Sequence, residues 1–231
     1  NQAVSWFYSS PSSTQAIREL LSNCGDLERL ISKVAVGKVN PREIRHIHRS
    51  LELIGPIKQI LSEGKDNTMI CELSNSFQAC GELLNQIDTT IDPTPAIAVG
   101  KGDVIKAGVN QELDELRNIS NNGKQYLQEL QDREAEKTGI TSLKIAFNNV
   151  FGYYIEVRNT HKDKVPSEWI RRQTLVNAER YITEELKEYE EKILGAEAKI
   201  LAIEQRLYQE LLAALAIHVG VIQQNASTLA R

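Results

Sequence analysis

Cysteine is scarce in this chain. Cys24, Cys71 and Cys80 are odd in number and have no C-x-x-C spacing, so neither a disulfide framework nor a zinc site is indicated, and reduced, cytoplasmic thiols are expected. No stretch of 18 apolar residues occurs, and no basic segment followed by an apolar one opens the sequence, so neither a membrane span nor a secretory leader is expected. The two glycosylation sequons, at Asn118 and Asn225, are therefore chance matches. Phosphate-loop chemistry is missing too: Gly37-Lys38 and Gly100-Lys101 lack the upstream glycine and the following hydroxyl residue. His46 and His48 are two apart and point to different faces of a helix, while His161 and His218 have no acid or nucleophile nearby in sequence. Glu-rich runs such as 184–191 fit helix-dipole complement and solvation better than paired catalytic carboxylates. An enzymatic reading lacks residues to carry it. The chain also begins and stops without end signals, as a piece of something larger would.

Aromatics are few, at 4 Phe, 2 Trp and 7 Tyr, and unevenly placed. Phe147, Phe151, Tyr153, Tyr154, Trp169 and Tyr181 all fall within 143–183, the one stretch without helical periodicity. Leu143, Ile145 and Phe147 alternate with polar or small neighbours; Tyr153, Ile155 and Val157 do so again after an Asn148-Asn149 turn and Gly152. After a polar loop, 159–164, come two shorter β-prone pieces, 171–176 and 179–182, broken at Asn177-Ala178. A small antiparallel sheet of three or four strands is predicted, inserted between helices. Net charge is −4 for the whole chain. Residues 138–183, however, hold seven Lys/Arg (144, 158, 162, 164, 171, 172, 180) and four acids, a local excess of three cations that leaves −7 elsewhere. A weakly basic tip on an acidic body would meet a polyanion first.

The flanking sequence reads as helix. Leu27, Leu30, Ile31 and Val34 give 26–35 one apolar face. Asn40-Pro41-Arg42-Glu43 is a helix start with a capping box, and that helix is expected to end near Gly55-Pro56. A short helix at 57–61 and a longer one at 68–87 follow, then a β-like Val104-Ile105. Asn110 can cap a helix that Gly139 ends, with Asn121-Asn122-Gly123 as its expected point of yield. Thr183 can cap the longest helix, running to about His218, roughly 50 Å at ~1.5 Å per residue. Its seam of Leu186, Tyr189, Ile193, Ala196, Ile200, Ile203, Leu207 and Leu211 wants a partner helix, which Leu113, Leu116, Leu127 and Leu130 offer.

Two runs, LKIAFNNVFGYYIEV and RRQTLVNAERYITEELKEYEEKILGAEAKI, resemble the clamp and lever region of the MutS family of DNA mismatch repair ATPases. Asp26-Leu27-Glu28-Arg29-Leu30, Asn40-Pro41-Arg42-Glu43 and the stretch from Gly108 to Asp114 are similar to that family's core signatures. The resemblance implies a mainly α fold: a partial helical core (1–109), a descending lever helix (110–137), a β-rich clamp (138–183) and an ascending lever returning to the core (184–231), the two levers running antiparallel. It implies a ring-like homodimer whose clamps close on double-stranded DNA through backbone contacts. The mismatch-reading domain and the ATPase domain, with its ATP and Mg, would lie outside this segment, as would contacts with downstream repair proteins. Lys144, Asn148, Asn149, Arg172, Asn177 and Arg180 are then the candidate phosphate contacts. Where the family often has Lys, in TLKNAERY, this chain has Val176. A coiled-coil scaffold with a protein-binding β tip is the other reading; DNA binding that vanishes at high salt separates the two.

Overall fold

The structure, a computed structural model, describes residues 2–231. In chain order the elements are α1 (Gln2–Ser9), α2 (Pro11–Ser22), α3 (Leu27–Ala35), α4 (Pro41–Glu52), α5 (Ile54–Leu61), α6 (Thr68–Ser76), α7 (Gly81–Thr90), α8 (Gln111–Thr138), β1 (Lys144–Asn148), β2 (Gly152–Arg158), β3 (Ile170–Thr174), β4 (Ala178–Ile182), α9 (Glu184–Ile217) and α10 (Val219–Leu229). The fold is mainly α with one small antiparallel sheet. Two compact units divide it: residues 1–109 with 204–231, and residues 110–203.

The first unit is helical, and its helix ends follow local chemistry. Asp26 accepts from the Arg29 amide at the start of α3, and Asn40 and Glu43 form the full capping box at the start of α4. Buried Ile44, Ile47 and Leu51 line the inner face of α4, which packs on α3 and α7. Gly55-Pro56 does not end that helix. α4 stops at Glu52, and the pair falls in the first turn of α5, where proline's missing N–H costs nothing. The helix expected over 68–87 is two helices. Between α6 and α7, Phe77 turns inward, 5% exposed. The Gln78 amide donates to Asn225 Oδ1 at 2.8 Å, and Asn225 Nδ2 donates to the Gln78 carbonyl at 3.1 Å. A side chain on α10 thus takes over backbone groups that a helix would otherwise pair. The Val104-Ile105 piece forms a bridge from Ile105 to Ile91, and the buried Glu204 carboxylate accepts both its amides, at 2.9 and 3.1 Å.

The second unit packs a four-stranded sheet, order β1-β2-β4-β3, on α8 and the first turns of α9. Asn110 caps α8 by accepting from the Leu113 amide, and Gly139, at φ 68°, ends it in the left-handed conformation. Thr183 Oγ1 accepts from the Leu186 amide to start α9. One core joins Leu127 and Leu130 of α8, Ile155, Val157 and Tyr181 of the sheet, Trp169, and Leu186 and Ile193 of α9. Partners run in opposite directions along the two helices: Lys124 meets Glu197 at 2.7 Å, the Tyr126 ring stacks on Tyr189 with centroids 3.7 Å apart, and Arg133 meets Glu185 at 2.7 Å. α8 and α9 are antiparallel here, and α8 is unbroken through Asn121-Asn122-Gly123.

Candidate nucleic-acid interface

The sheet's register decides which candidate residues can act together. β1 pairs with β2 from Lys144↔Glu156 to Asn148↔Gly152, and β2 pairs with β4 from Ile155↔Tyr181 to Arg158↔Ala178. The β1–β2 turn therefore lies at the Gly152 end of β2 and the β3–β4 turn at its Arg158 end. Six residue steps separate these ends, about 20 Å of strand.

Asn148 and Asn149 belong to the Gly152 end. Asn148 Oδ1 is occupied within the turn, accepting from the Val150 amide at 2.7 Å, and Asn149 is exposed. Asn177 belongs to the other end. Its carbonyl accepts from the Asn159 amide at 3.1 Å, while Asn159 Nδ2 donates to the Val176 carbonyl at 2.9 Å. This double contact holds the β3–β4 turn to the 159–164 segment, which winds into a short 3-10 helix.

The cations divide by their partners. Arg180 is committed to the sheet: its Nε donates to Glu156 at 3.0 Å, its Nη1 to Gln173 at 2.9 Å, and its guanidinium lies 4.2 Å from the Tyr154 ring centroid. Arg171 bonds to Glu179 at 3.2 Å. A hydrogen bond from the Tyr181 hydroxyl, together with Arg171, holds the Glu179 carboxyl below the usual range. Burial first, and then Glu179, pushes the Tyr181 hydroxyl up to about 12. Lys144 stands exposed opposite Glu156. Arg172 is the extra residue at a register shift in β3 and borders a hollow of about 50 Å³ with Phe151, Tyr153, Ile182, Lys187 and Glu190. That volume is far below a nucleotide pocket.

Arg158, Lys162 and Lys164 are exposed and form no ion pair among the described residues. They share the Arg158 end with Asn177. The sequence placed all three in its basic excess but not among the candidate contacts, because the loop that carries two of them looked like a connection. Only the pairing of Arg158 with Ala178 brings that loop beside the β3–β4 turn. Of the six sequence candidates, then, Asn177 alone sits in this cluster. Lys144 and Arg180 share a cross-strand row through Glu156, and Asn148 and Asn149 are at the opposite end. Among the described residues no group of His, Cys, Asp and Glu is arranged to hold a metal, and no helix is long and apolar enough to cross a membrane.

Residues 108–199, which contain α8, the sheet and the start of α9, match the MutS family domain IV. Similarity extends over the full length of the chain. It is 54% identical over 231 residues to the DNA mismatch repair protein MutS of Parabacteroides distasonis, covering 100% of this chain and 26% of that protein. To the protein of the same description from Bacteroides thetaiotaomicron it is 55% identical over 228 residues, covering 99% of this chain and 26% of the relative. The chain is similar to a segment of MutS. The corresponding protein of Flavobacterium psychrophilum is 51% identical over 231 residues, all of this chain and 27% of its own length. The chain thus spans about a quarter of the length of the curated MutS relatives it matches. The MutS domain IV match takes in the basic end of the sheet, α8 and the start of α9, while the similarity to MutS proteins also covers the helical unit.

Proposed function

We propose that this segment acts in DNA mismatch repair by holding duplex DNA through its backbone and relaying that hold along α8 and α9. The observation that carries the reading is the Arg158 end of the sheet. Three exposed cations stand there beside a hydrogen-bonded turn, none of them in an ion pair among the described residues. Cations and turn amides meet phosphate oxygens and so give position without sequence information. A set this small gives weak, salt-sensitive affinity, each neutralised phosphate adding about 0.9 to the slope of log K against log salt.

In this reading mismatch recognition, ATP and Mg belong to parts of the whole protein beyond this segment, and the segment itself performs no catalysis. The working assembly is a homodimer in the cytoplasm, in contact with downstream repair proteins. The family of the relatives favours DNA over a protein ligand for the sheet. Replacing Arg158, Lys162 and Lys164 together by Ala tests the assignment: the salt slope of duplex binding should fall by about 2.7 with the fold intact by circular dichroism. An unchanged slope would move the contacts elsewhere.

A further inference from the structure

Gly123 occupies the point where the sequence suggests that α8 yields, and its surroundings give it the opposite part. It is buried in an uninterrupted helix. A Cβ at this position would stand 2.5 Å from Ile193 Cγ1 and 3.1 Å from Ile193 Cδ1. Ile193 is 0% exposed and β-branched, a side chain with one strongly preferred rotamer in a helix, so it cannot swing aside. On the same face of α8, one turn either way, stand the buried Ser120 and Leu127. Ile193 is therefore a knob in a hole whose floor is the glycine.

The neighbouring contacts differ in kind. Lys124–Glu197 and Arg133–Glu185 join long side chains that can follow a slide of one helical step, about 1.5 Å. Ile193 over Gly123 cannot follow, because the α8 residues next along that buried face, Ser120 and Leu127, both carry side chains. We infer that Gly123 and Ile193 are a register pin, a positioning pair that fixes α9 against α8. The sheet is fixed with them, since Ile193 also belongs to the core containing Ile155, Val157 and Tyr181. The functional consequence rests on the DNA-holding reading: the pin keeps the Arg158 end where both helices can carry its load as one rigid body.

Gly123→Ala separates a pin from a hinge by sign. At a flexible hinge, alanine's higher helix propensity raises Tm. At a pin, the added methyl lowers Tm by several degrees and reduces hydrogen-exchange protection in β2 and β4. Duplex affinity also falls, at a temperature where the variant is still folded. Ile193→Ala should cost less Tm in the Gly123→Ala background than in the unmodified chain, since there it also removes the clashing Cγ1. Chemical denaturation of the same variants makes the comparison where melting is poorly resolved. A raised Tm with unchanged protection, or an Ile193→Ala cost that is the same in both backgrounds, overturns the pin. If the unmodified chain binds no duplex at all, the DNA-holding reading fails by itself, and Tm and protection still judge the pin.

Discussion

Arg180 and Glu156 face each other across β4 and β2, with guanidinium Nε 3.0 Å from the carboxylate. Gln173 and the Tyr154 ring take up the rest of the arginine. A cation so engaged must give up two charge-assisted bonds before it can turn to a phosphate. Arg180→Ala should therefore lower the stability of the sheet by about 1–2 kcal/mol and leave the salt slope of duplex binding nearly unchanged. Arg158→Ala should do the reverse, lowering the slope by about 0.9 at unchanged Tm. Paired denaturation and binding series on the two variants check this; a slope loss in Arg180→Ala would return that residue to the DNA contacts.

Val176 is 91% exposed at the β3–β4 turn, beside the cations of the Arg158 end and held by Asn159. Val176→Lys adds a charge there and disturbs no packing. Duplex affinity should rise at low salt and the slope should steepen by about 0.9, with Tm unaltered. Identical binding by the variant would place this turn away from DNA.

Acid should loosen the helix pair. The Tyr126 hydroxyl and then the Arg133 guanidinium hold the Glu185 carboxyl below its ordinary value of 4.5. A depressed folded-state value means that the group's stabilisation is present above about pH 4.5 and is lost as pH falls through the lower folded value. Glu179 carries the same sign in the sheet. Melts between pH 7 and pH 3 should show Tm falling below about pH 5, and Glu185→Gln should make that fall shallower. An equally steep fall in the variant would remove Glu185 from the effect.

Gly152 has two reasons to be glycine. Its φ is +77°, and a Cβ there would lie 2.2 Å from the Glu190 carboxylate, which accepts the Tyr153 amide at 2.5 Å. Gly152→Ala should cost about 2 kcal/mol or more, measured by chemical denaturation. A cost under about 0.5 kcal/mol would mean that the turn relaxes freely.

What the sequence disclosed was local. Asn40, Asn110, Thr183 and Gly139 cap the helices they were expected to cap because each acts within a few residues of itself. The sheet, expected with three or four strands, was legible for the same reason, in alternation and turn residues, although Ala178, read as part of a break, begins β4. Features set by distant partners were not. The break between α6 and α7 depends on Asn225, 147 positions away from Gln78. Gly123 reads as a weak point until Ile193 is seen over it. Asn148, Asn149 and Asn177 look like one set until the strand register puts them at opposite ends. Arg158, Lys162 and Lys164 gain meaning only when that register gathers them.

The most direct test of the account is fluorescence anisotropy of this chain with a labelled homoduplex and a mismatched duplex, side by side across a salt series. The account predicts weak binding of both, equal within error, fading steeply as salt rises. A clear preference for the mismatch, or binding indifferent to salt, would contradict a backbone hold by the Arg158 end of the sheet.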